Sequence, residues 1–281
     1  ACGMGKKVLL ADVFGNAVDI GYGDISALNT TTTVFVSLAY TLQIYFDFSG
    51  YSDMAVGVSR MLNLDLPVNF NSPYKARTIS EFWDRWHITL TRFFTRYLYI
   101  PLGGSRRGKI RTWINTMIVF LCSGFWHGAS WTFIFWGFLH GIAMVLNRIF
   151  GKWISRLPSV FNWLVTFLFV NAAWILFRAG SFGTTVNMFR SLLSNRWGGL
   201  QAEVSDAFLN YLTQYIPFIP SWGIAAGYLA VGLGIVLFGR NLYEKSREEC
   251  LGIKSGIAVV ILLVLSTLSF SGISTYVYAN F

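Results

Sequence analysis

The sequence predicts an all-α, polytopic membrane protein, because the chain is strongly apolar and its apolar residues fall into long runs. Hydrophobic residues make up 54% of the 281 positions and charged residues only 12%, whereas a soluble domain carries about 25% charged residues. The 11 Trp, 13 Tyr and 25 Phe residues favour the same class, since aromatic rings collect at membrane interfaces. This composition excludes an ordinary soluble globular protein.

Several apolar runs predict helices that enter or cross the bilayer, which takes about 20 residues. Between them, residues 64–80 predict a polar loop, residues 81–99 a helix, and residues 101–109 a basic turn. Residues 184–193 predict a short amphipathic helix at the interface. The apolar runs themselves are 32–48, 112–126, 130–150, 160–177, 222–238 and 255–270.

The positive charge of the chain predicts its orientation in the membrane. The formal net charge is +9, and Lys and Arg concentrate in segments 75–111, 147–156 and 240–254. Short basic loops lie on the cytoplasmic side of a membrane, so these three segments are expected there. The same pattern argues against a nucleic-acid-binding protein, whose basic residues would form a soluble patch.

Segments 112–126 and 130–150 are expected to form a hairpin, because each connects to a basic loop. Fifteen helical residues rise about 22 Å, less than the hydrocarbon thickness of about 30 Å. The tip of the hairpin, Phe125-Trp126-His127-Gly128, is therefore expected to stop inside the membrane. Gly124 and Gly128, four residues apart, allow a close backbone approach at this tip.

The three histidines, His87, His127 and His140, are the candidates for chemistry, because a polar side chain at membrane depth faces a cavity or a partner. His127 fits a catalytic role and a structural hydrogen bond equally well from its position alone. His140 lies in the middle of a predicted span with no acidic neighbour, which favours a structural hydrogen bond.

His87 lies in the predicted helix 81–99, for which Thr78 and Glu81 form a capping box. At 100° per residue, Asp84, His87 and Thr91 share one helical face. Asp84 is therefore a candidate to fix the tautomer of the imidazole. An interfacial helix whose arginines bind lipid phosphates is the alternative interpretation.

Asp47 ends the first apolar run, where a carboxylate needs a partner. Pairing with an arginine from 85–96 is favoured slightly over a role in orienting a catalytic group. The sequence contains no Ser-type nucleophile elbow, phosphate-binding loop, zinc-protease motif or metal-like His/Cys cluster, so serine or zinc hydrolysis has no support.

Five ordered motifs of the chain resemble the membrane-bound O-acyltransferase family, and within it most closely the membrane subunits of bacterial alginate O-acetyltransferases. The resemblance runs from about Lys6 to the end of the chain. The motifs are YFDFSGYSDMAVG at 45–57, FNSPY at 70–74, EFWDRWHITL at 81–90, YIPLGGSR at 99–106 and GFWHG at 124–128.

This resemblance implies specific site residues and a specific architecture. His127, in a Trp-His-Gly motif with Trp126, would be the active-site histidine, and His87 would be a second functional histidine. Both would lie near a tunnel that crosses the membrane, among short re-entrant and interfacial helices. Family members have further spans before this point, so residues 1–281 would be a single membrane domain forming the C-terminal portion of a longer chain.

The expected activity is transfer of an acetyl group from a cytoplasmic thioester such as acetyl-CoA to hydroxyls of an exported, alginate-like polysaccharide. The expected location is the bacterial cytoplasmic (inner) membrane, in contact with lipid and with extracytoplasmic polysaccharide-acetylation proteins. No bound cofactor, metal or nucleic acid is expected. The alternatives are D-alanyl transfer to teichoic acid, and a non-catalytic transport or scaffold subunit of a secretion complex.

Overall fold

A computed structural model of the chain describes residues 1–210, 213, 216–239, 241 and 252–270. Most of the predicted basic segment 240–254 lies outside these residues. All regular structure in the described part of the chain is helical, which confirms the all-α prediction. The chain forms two compact units, one of Ala1–Pro67 with Gly183–Phe281 and one of Val68–Phe182.

The helices of the described residues are numbered here in chain order. They are α1 (Cys2–Gly5), α2 (Asp12–Gly23), α3 (Thr30–Met61), α4 (Ile79–Arg85), α5 (Ile88–Phe94), α6 (Lys109–His127), α7 (Trp131–Ile154), α8 (Ser159–Arg178), α9 (Phe182–Leu193), α10 (Ala202–Asp206), α11 (Ser221–Phe238) and α12 (Ile253–Leu268). Two π-helical turns, Lys6–Ala11 and Thr95–Tyr99, and one 3-10 turn, Pro73–Lys75, accompany them.

Three helices in the described ranges are long and apolar enough to cross a membrane, namely α7, α8 and α11. They confirm the spans predicted at 130–150, 160–177 and 222–238. Helix α12 has 16 residues and is a shorter apolar helix, and α9 confirms the helix predicted at 184–193. The chain is a multi-pass membrane protein.

In the unit that contains the chain start, two lysines fix the first helical turns to α3. Lys7 Nζ lies 2.7 Å from the Asp47 carboxylate and 2.9 Å from that of Asp12. Lys6 Nζ lies 2.7 Å from Asp53. Asp47 is therefore in a structural ion pair, as favoured from the sequence. The ion pair is made with Lys7, where the sequence had suggested an arginine from 85–96.

The prediction of one continuous helix over 81–99 is wrong, because the helix is interrupted between α4 and α5. Thr78 caps α4 as predicted, its side chain accepting the N–H of Glu81 at 3.1 Å. The chain then turns at Trp86 and His87. The preceding loop satisfies the interrupted backbone: Asn71 N–H donates to the Arg85 carbonyl at 2.9 Å, and Ile88 N–H donates to the Asn69 carbonyl at 3.0 Å.

Helices α6 and α7 form the predicted hairpin at very short separation. A Cβ added at Gly137 would collide with the Phe120 carbonyl, and one added at Gly124 would collide with the Phe133 carbonyl. The two glycines face each other, so close approach occurs at Gly124 as predicted. Helix α6 begins at Lys109 and has 19 residues, a rise of about 28 Å. The prediction from length that the tip stops inside the membrane is therefore wrong, since α6 is nearly as long as the hydrocarbon is thick.

We expect Gly137→Ala to destabilise the protein, because its methyl group has no room against the backbone of α6. Overpacking of this kind costs about 1–3 kcal/mol. Gly151→Ala, in the same helix with no atom within 4 Å of the added methyl, is the matched control and should leave stability unchanged or raised. Thermal unfolding of the purified full-length protein measures both. Equal midpoints for the two variants would contradict the packing described here.

Candidate active site

His127 is the last residue of α6 and lies buried in a cage of aromatic rings, with 3% of its surface exposed. Its ring centroid lies 4.9 Å from that of Trp126, 5.3 Å from that of Trp136 and 5.1 Å from that of Phe177. The helix stops here because Gly128 adopts φ +154°. A Cβ at that position would meet the Phe133 ring at 2.8 Å.

His87 approaches the same site from the break between α4 and α5. Its backbone is left-handed, with φ 44° and ψ 54°, a conformation that costs a residue other than glycine about 1–2 kcal/mol. Residues held in such a conformation cluster at functional sites. The His87 and Trp126 ring centroids are 6.3 Å apart, so the Trp126 ring contacts both His87 and His127.

Phe70 and Tyr74 of the loop 68–74 hold the chain break between α4 and α5 in place by packing against Trp86. Trp86 is fully buried and its ring packs against Phe70 at 5.0 Å and Tyr74 at 6.1 Å. The Thr89 hydroxyl donates to the Asn69 side chain at 2.6 Å. The loop 68–74 thus fixes both sides of His87.

Burial lowers the pKa of His87 to about 4, so its imidazole is neutral near pH 7.

His140 has the structural hydrogen bond that its sequence position favoured. Its Nδ1 accepts the indole N–H of Trp83 at 3.2 Å, and the residue is fully buried. The Trp136 ring lies 4.7 Å from His140 and 5.3 Å from His127. Histidine and tryptophan rings therefore alternate along one continuous row, from His87 through Trp126, His127 and Trp136 to His140.

Buried N–H donors without a partner among the described residues concentrate beside this row. The indole nitrogens of Trp136 and Trp174 are two of them, and Nε2 of His140 is a third. The Trp136 and Trp174 rings stack at 5.9 Å. A buried donor without a partner is uncommon and marks a position where a water or a ligand supplies the acceptor. The site can therefore donate hydrogen bonds to an oxygen atom.

The remaining predicted site residues, Asp84 and Asp47, do not belong to this row. Asp84 no longer shares a helical face with His87, since the helix breaks between them, and it lines a cavity with Ser80 and Thr91. A tautomer-fixing role for Asp84 stays a prediction without its geometric basis. Asp47 belongs to the other unit. Within the described residues, no group of His, Cys, Asp and Glu could hold a metal ion.

The sequence motifs indicated Trp126 but not Trp136 or Phe177, the other two rings around His127. Trp136 and His140 are four residues apart and share a helical face, a signal that could have linked Trp136 to the site. Trp83, Trp174 and Phe177 come from α4 and α8. Only the tertiary fold brings these side chains to α6 and α7, so no sequence spacing indicates their contacts.

Comparison of the sequence with known proteins places the chain in one family. A model of the membrane-bound O-acyltransferase family matches residues 26–191. A peptidoglycan O-acetyltransferase of Helicobacter pylori is 46% identical over 195 residues, which are 68% of this chain and 37% of that protein. A probable alginate O-acetylase of Pseudomonas syringae pv. tomato is 41% identical over 252 residues, 87% of this chain and 45% of that protein.

A more distant relative has a different named activity. A teichoic acid D-alanyltransferase of Streptococcus thermophilus is 34% identical over 168 residues, which cover 55% of this chain and 39% of that protein. The chain spans less than half the length of each of these curated relatives.

The cost of the left-handed backbone at His87 can be tested with two variants that both lack the imidazole. Asn tolerates this conformation, whereas a β-branched residue does not. We expect His87→Val to be about 1–2 kcal/mol less stable than His87→Asn, measured by thermal unfolding of the purified full-length protein. Equal stability of the two variants would show that the turn at His87 carries no backbone strain.

Proposed function

We propose that this chain, which belongs to the membrane-bound O-acyltransferase family, carries the acyl-transfer centre of a bacterial membrane enzyme. The enzyme would move an acetyl group from a thioester donor to a hydroxyl of an exported polysaccharide. The observation that carries the proposal is the burial of His127 among aromatic rings, with the rings of His87 and His127 both in contact with Trp126. Such a site excludes water, which would otherwise hydrolyse the donor.

In the proposed reaction, His127 acts as the general base. The acceptor hydroxyl oxygen attacks the thioester carbonyl carbon while its proton passes to the imidazole. A C–O bond forms, the C–S bond breaks, and the thiolate leaves and takes up a proton. Burial favours the neutral form of an imidazole, which is the form that can accept the proton. His87 is the second functional histidine in this proposal, and its ring centroid lies 6.3 Å from that of Trp126.

The negative charge that develops on the carbonyl oxygen needs hydrogen-bond donors, and Trp136 is the proposed source. Its ring contacts His127 at 5.3 Å, and its N–H has no acceptor among the described residues. A donor already in place costs no reorganisation during the reaction. Trp126 would shape the site between the two histidines.

The relatives supply the candidates for the acceptor. The H. pylori relative is named for peptidoglycan and several Pseudomonas relatives for alginate, so a polysaccharide hydroxyl is the common class. An alginate-like exported polymer is the first candidate, since the alginate-named relative of P. syringae matches 87% of this chain. Peptidoglycan is the second, because its named relative reaches 46% identity. D-alanyl transfer to teichoic acid remains the alternative chemistry.

The proposed setting is the bacterial cytoplasmic membrane, where a cytoplasmic thioester such as acetyl-CoA meets an exported polymer. Extracytoplasmic polysaccharide-acetylation proteins would act with the enzyme on the far side. The chemistry assigned to His127 and Trp136 requires no bound cofactor. A transport or scaffold subunit is the competing interpretation, and it assigns no chemical role to His127.

Replacing His127 tests this function in cells that carry the full-length protein. We expect His127→Ala to abolish acetylation of the exported polymer at matched membrane abundance, because the proposed general base is removed. Ala129→Ser, an exposed residue at the same hairpin tip, is the control and should acetylate normally. Acetyl content of alginate and peptidoglycan and D-alanyl content of teichoic acid are measured together. Unchanged content of all three in His127→Ala would leave the transport or scaffold interpretation.

Replacing Trp136 tests the proposed oxyanion donor. Trp136→Phe keeps a ring in the cage and removes the N–H, and losing one such donor lowers kcat about 100-fold or more. Removal of a buried donor that has no acceptor among the described residues offsets part of the packing lost with the smaller ring, so the variant should still unfold cooperatively. Acetyl transfer by the purified full-length enzyme and its thermal unfolding are the two measurements. A kcat equal to that of the wild type would refute this role.

A further inference from the structure

Trp83 and His140 form a buried hydrogen bond between two helices of the unit 68–182. Trp83 lies in α4, one helical turn before His87, and His140 lies in the middle of α7. The indole N–H donates to His140 Nδ1 at 3.2 Å, and the two rings meet edge to face with their centroids 5.1 Å apart. This hydrogen bond ties the helix that ends beside His87 to the helix that carries Trp136.

The hydrogen bond also fixes the tautomer of His140. A neutral imidazole has one nitrogen that accepts and one that donates, so the proton lies on Nε2 when Nδ1 accepts. Nε2 has no acceptor among the described residues, and a buried donor in that state lowers the stability of the fold. A ring needed only for packing would be more stable without these nitrogens. The feature that the imidazole adds is therefore the Nδ1 acceptor for Trp83.

The surroundings of His140 leave its ring little room to move. Phe120 of α6 lies parallel to it at 6.3 Å, and Phe169 of α8 meets it edge to face at 5.2 Å. The neighbouring Gly141 faces α6 so closely that an added Cβ would meet the Met117 sulfur at 2.8 Å. Because close-packed groups cannot shift independently, the position of the imidazole is set by the fold.

Trp136 lies between this hydrogen-bonded pair and His127. Its ring centroid is 4.7 Å from that of His140, 5.8 Å from that of Trp83 and 5.3 Å from that of His127. The Trp174 ring stacks on it at 5.9 Å. The pair thus contacts Trp136 at two points, and rotation of either ring would displace the indole. The direction of the Trp136 N–H relative to His127 is therefore coupled to the hydrogen bond between Trp83 and His140.

We propose that Trp83 and His140 are positioning residues whose hydrogen bond holds the Trp136 indole in one orientation against His127. The proposal rests on the proposed function, in which the Trp136 N–H stabilises the charge on the carbonyl oxygen. Such a donor is effective only when it is in place before the charge develops, and a displacement of about 1 Å can cost about 100-fold in rate. The pair acts through Trp136 and does not itself touch the reacting atoms.

Replacement of His140 measures the effect of the pair on acetyl transfer from acetyl-CoA by the purified full-length enzyme. We expect His140→Phe to lower kcat about 10- to 100-fold with the KM for acetyl-CoA unchanged, because the variant keeps a ring and loses the acceptor for Trp83. His140→Asn should restore most of kcat, since its side-chain oxygen can take the place of Nδ1. Trp153→Phe, at an exposed position of α7, is the control and should have the kcat of the wild type.

Two results of these measurements would overturn the proposal. One is a wild-type kcat in His140→Phe. The other is an equally low kcat in the Asn and Phe variants, which would show that the hydrogen bond to Trp83 is not what matters at position 140.

The double variant Trp83→Phe/His140→Phe separates positioning from a merely structural bond. Each single substitution leaves a buried polar group without its partner, which lowers the midpoint of thermal unfolding. The double variant removes both groups, so its midpoint should recover, while kcat should stay as low as in His140→Phe. A merely structural bond predicts instead that kcat recovers together with the midpoint, and that result would sink the proposal.

The indole N–H resonance of Trp136 reports its orientation without turnover. In isotope-labelled full-length protein, with the resonance assigned through Trp136→Phe, it should broaden or split in His140→Phe and be a single sharp line in the wild type and in His140→Asn. A single sharp line in His140→Phe would refute the positioning role. A wild-type enzyme that transfers no acetyl group, with the Trp136 resonance behaving as expected, would reject the proposed function alone.

Discussion

The close approach of α6 and α7 is the constraint on which the candidate site depends. Gly124 and Gly137 bring the two backbones together where no Cβ fits, and this contact fixes the hairpin tip. His127 ends α6 at that tip, and Trp136 of α7 meets it from the neighbouring helix. Because packed backbones cannot shift easily, the imidazole is held in position before any substrate arrives.

His87 is positioned by a different feature, the break between α4 and α5. The chain breaks its helix at Trp86 and His87, and the loop 68–74 satisfies the exposed backbone groups through Asn69 and Asn71. The resulting left-handed turn carries His87 to Trp126. The left-handed backbone at His87 and the burial of Trp86 thus combine to bring two imidazoles into contact with one indole ring, that of Trp126. This arrangement suits a reaction that needs neutral bases and little water.

Sequence periodicity predicted most of the helices, because apolar runs and caps such as Thr78 are local signals. The motif around His127 likewise predicted the histidine that lies at the centre of the candidate site. The break at His87 could not be predicted, since Glu81 to Tyr99 contains no proline and reads as one helix. The partner of Asp47 was missed for a related reason: Lys7 is 40 residues away, and only tertiary packing brings the two together. Phe177 of α8 was missed for the same reason, since only tertiary packing brings it to His127.

The central claim is that the buried imidazole of His127 acts as the base beside the acyl group of a bound thioester. Reaction of the purified full-length protein, with its cysteines replaced by serine, with a bromoacetyl thioester tests it most directly. The account predicts one covalent adduct on His127, located by mass spectrometry, and protection by excess acetyl thioester. An unlabelled His127 under conditions that label another residue of the protein, with no effect of the competing thioester, would contradict it.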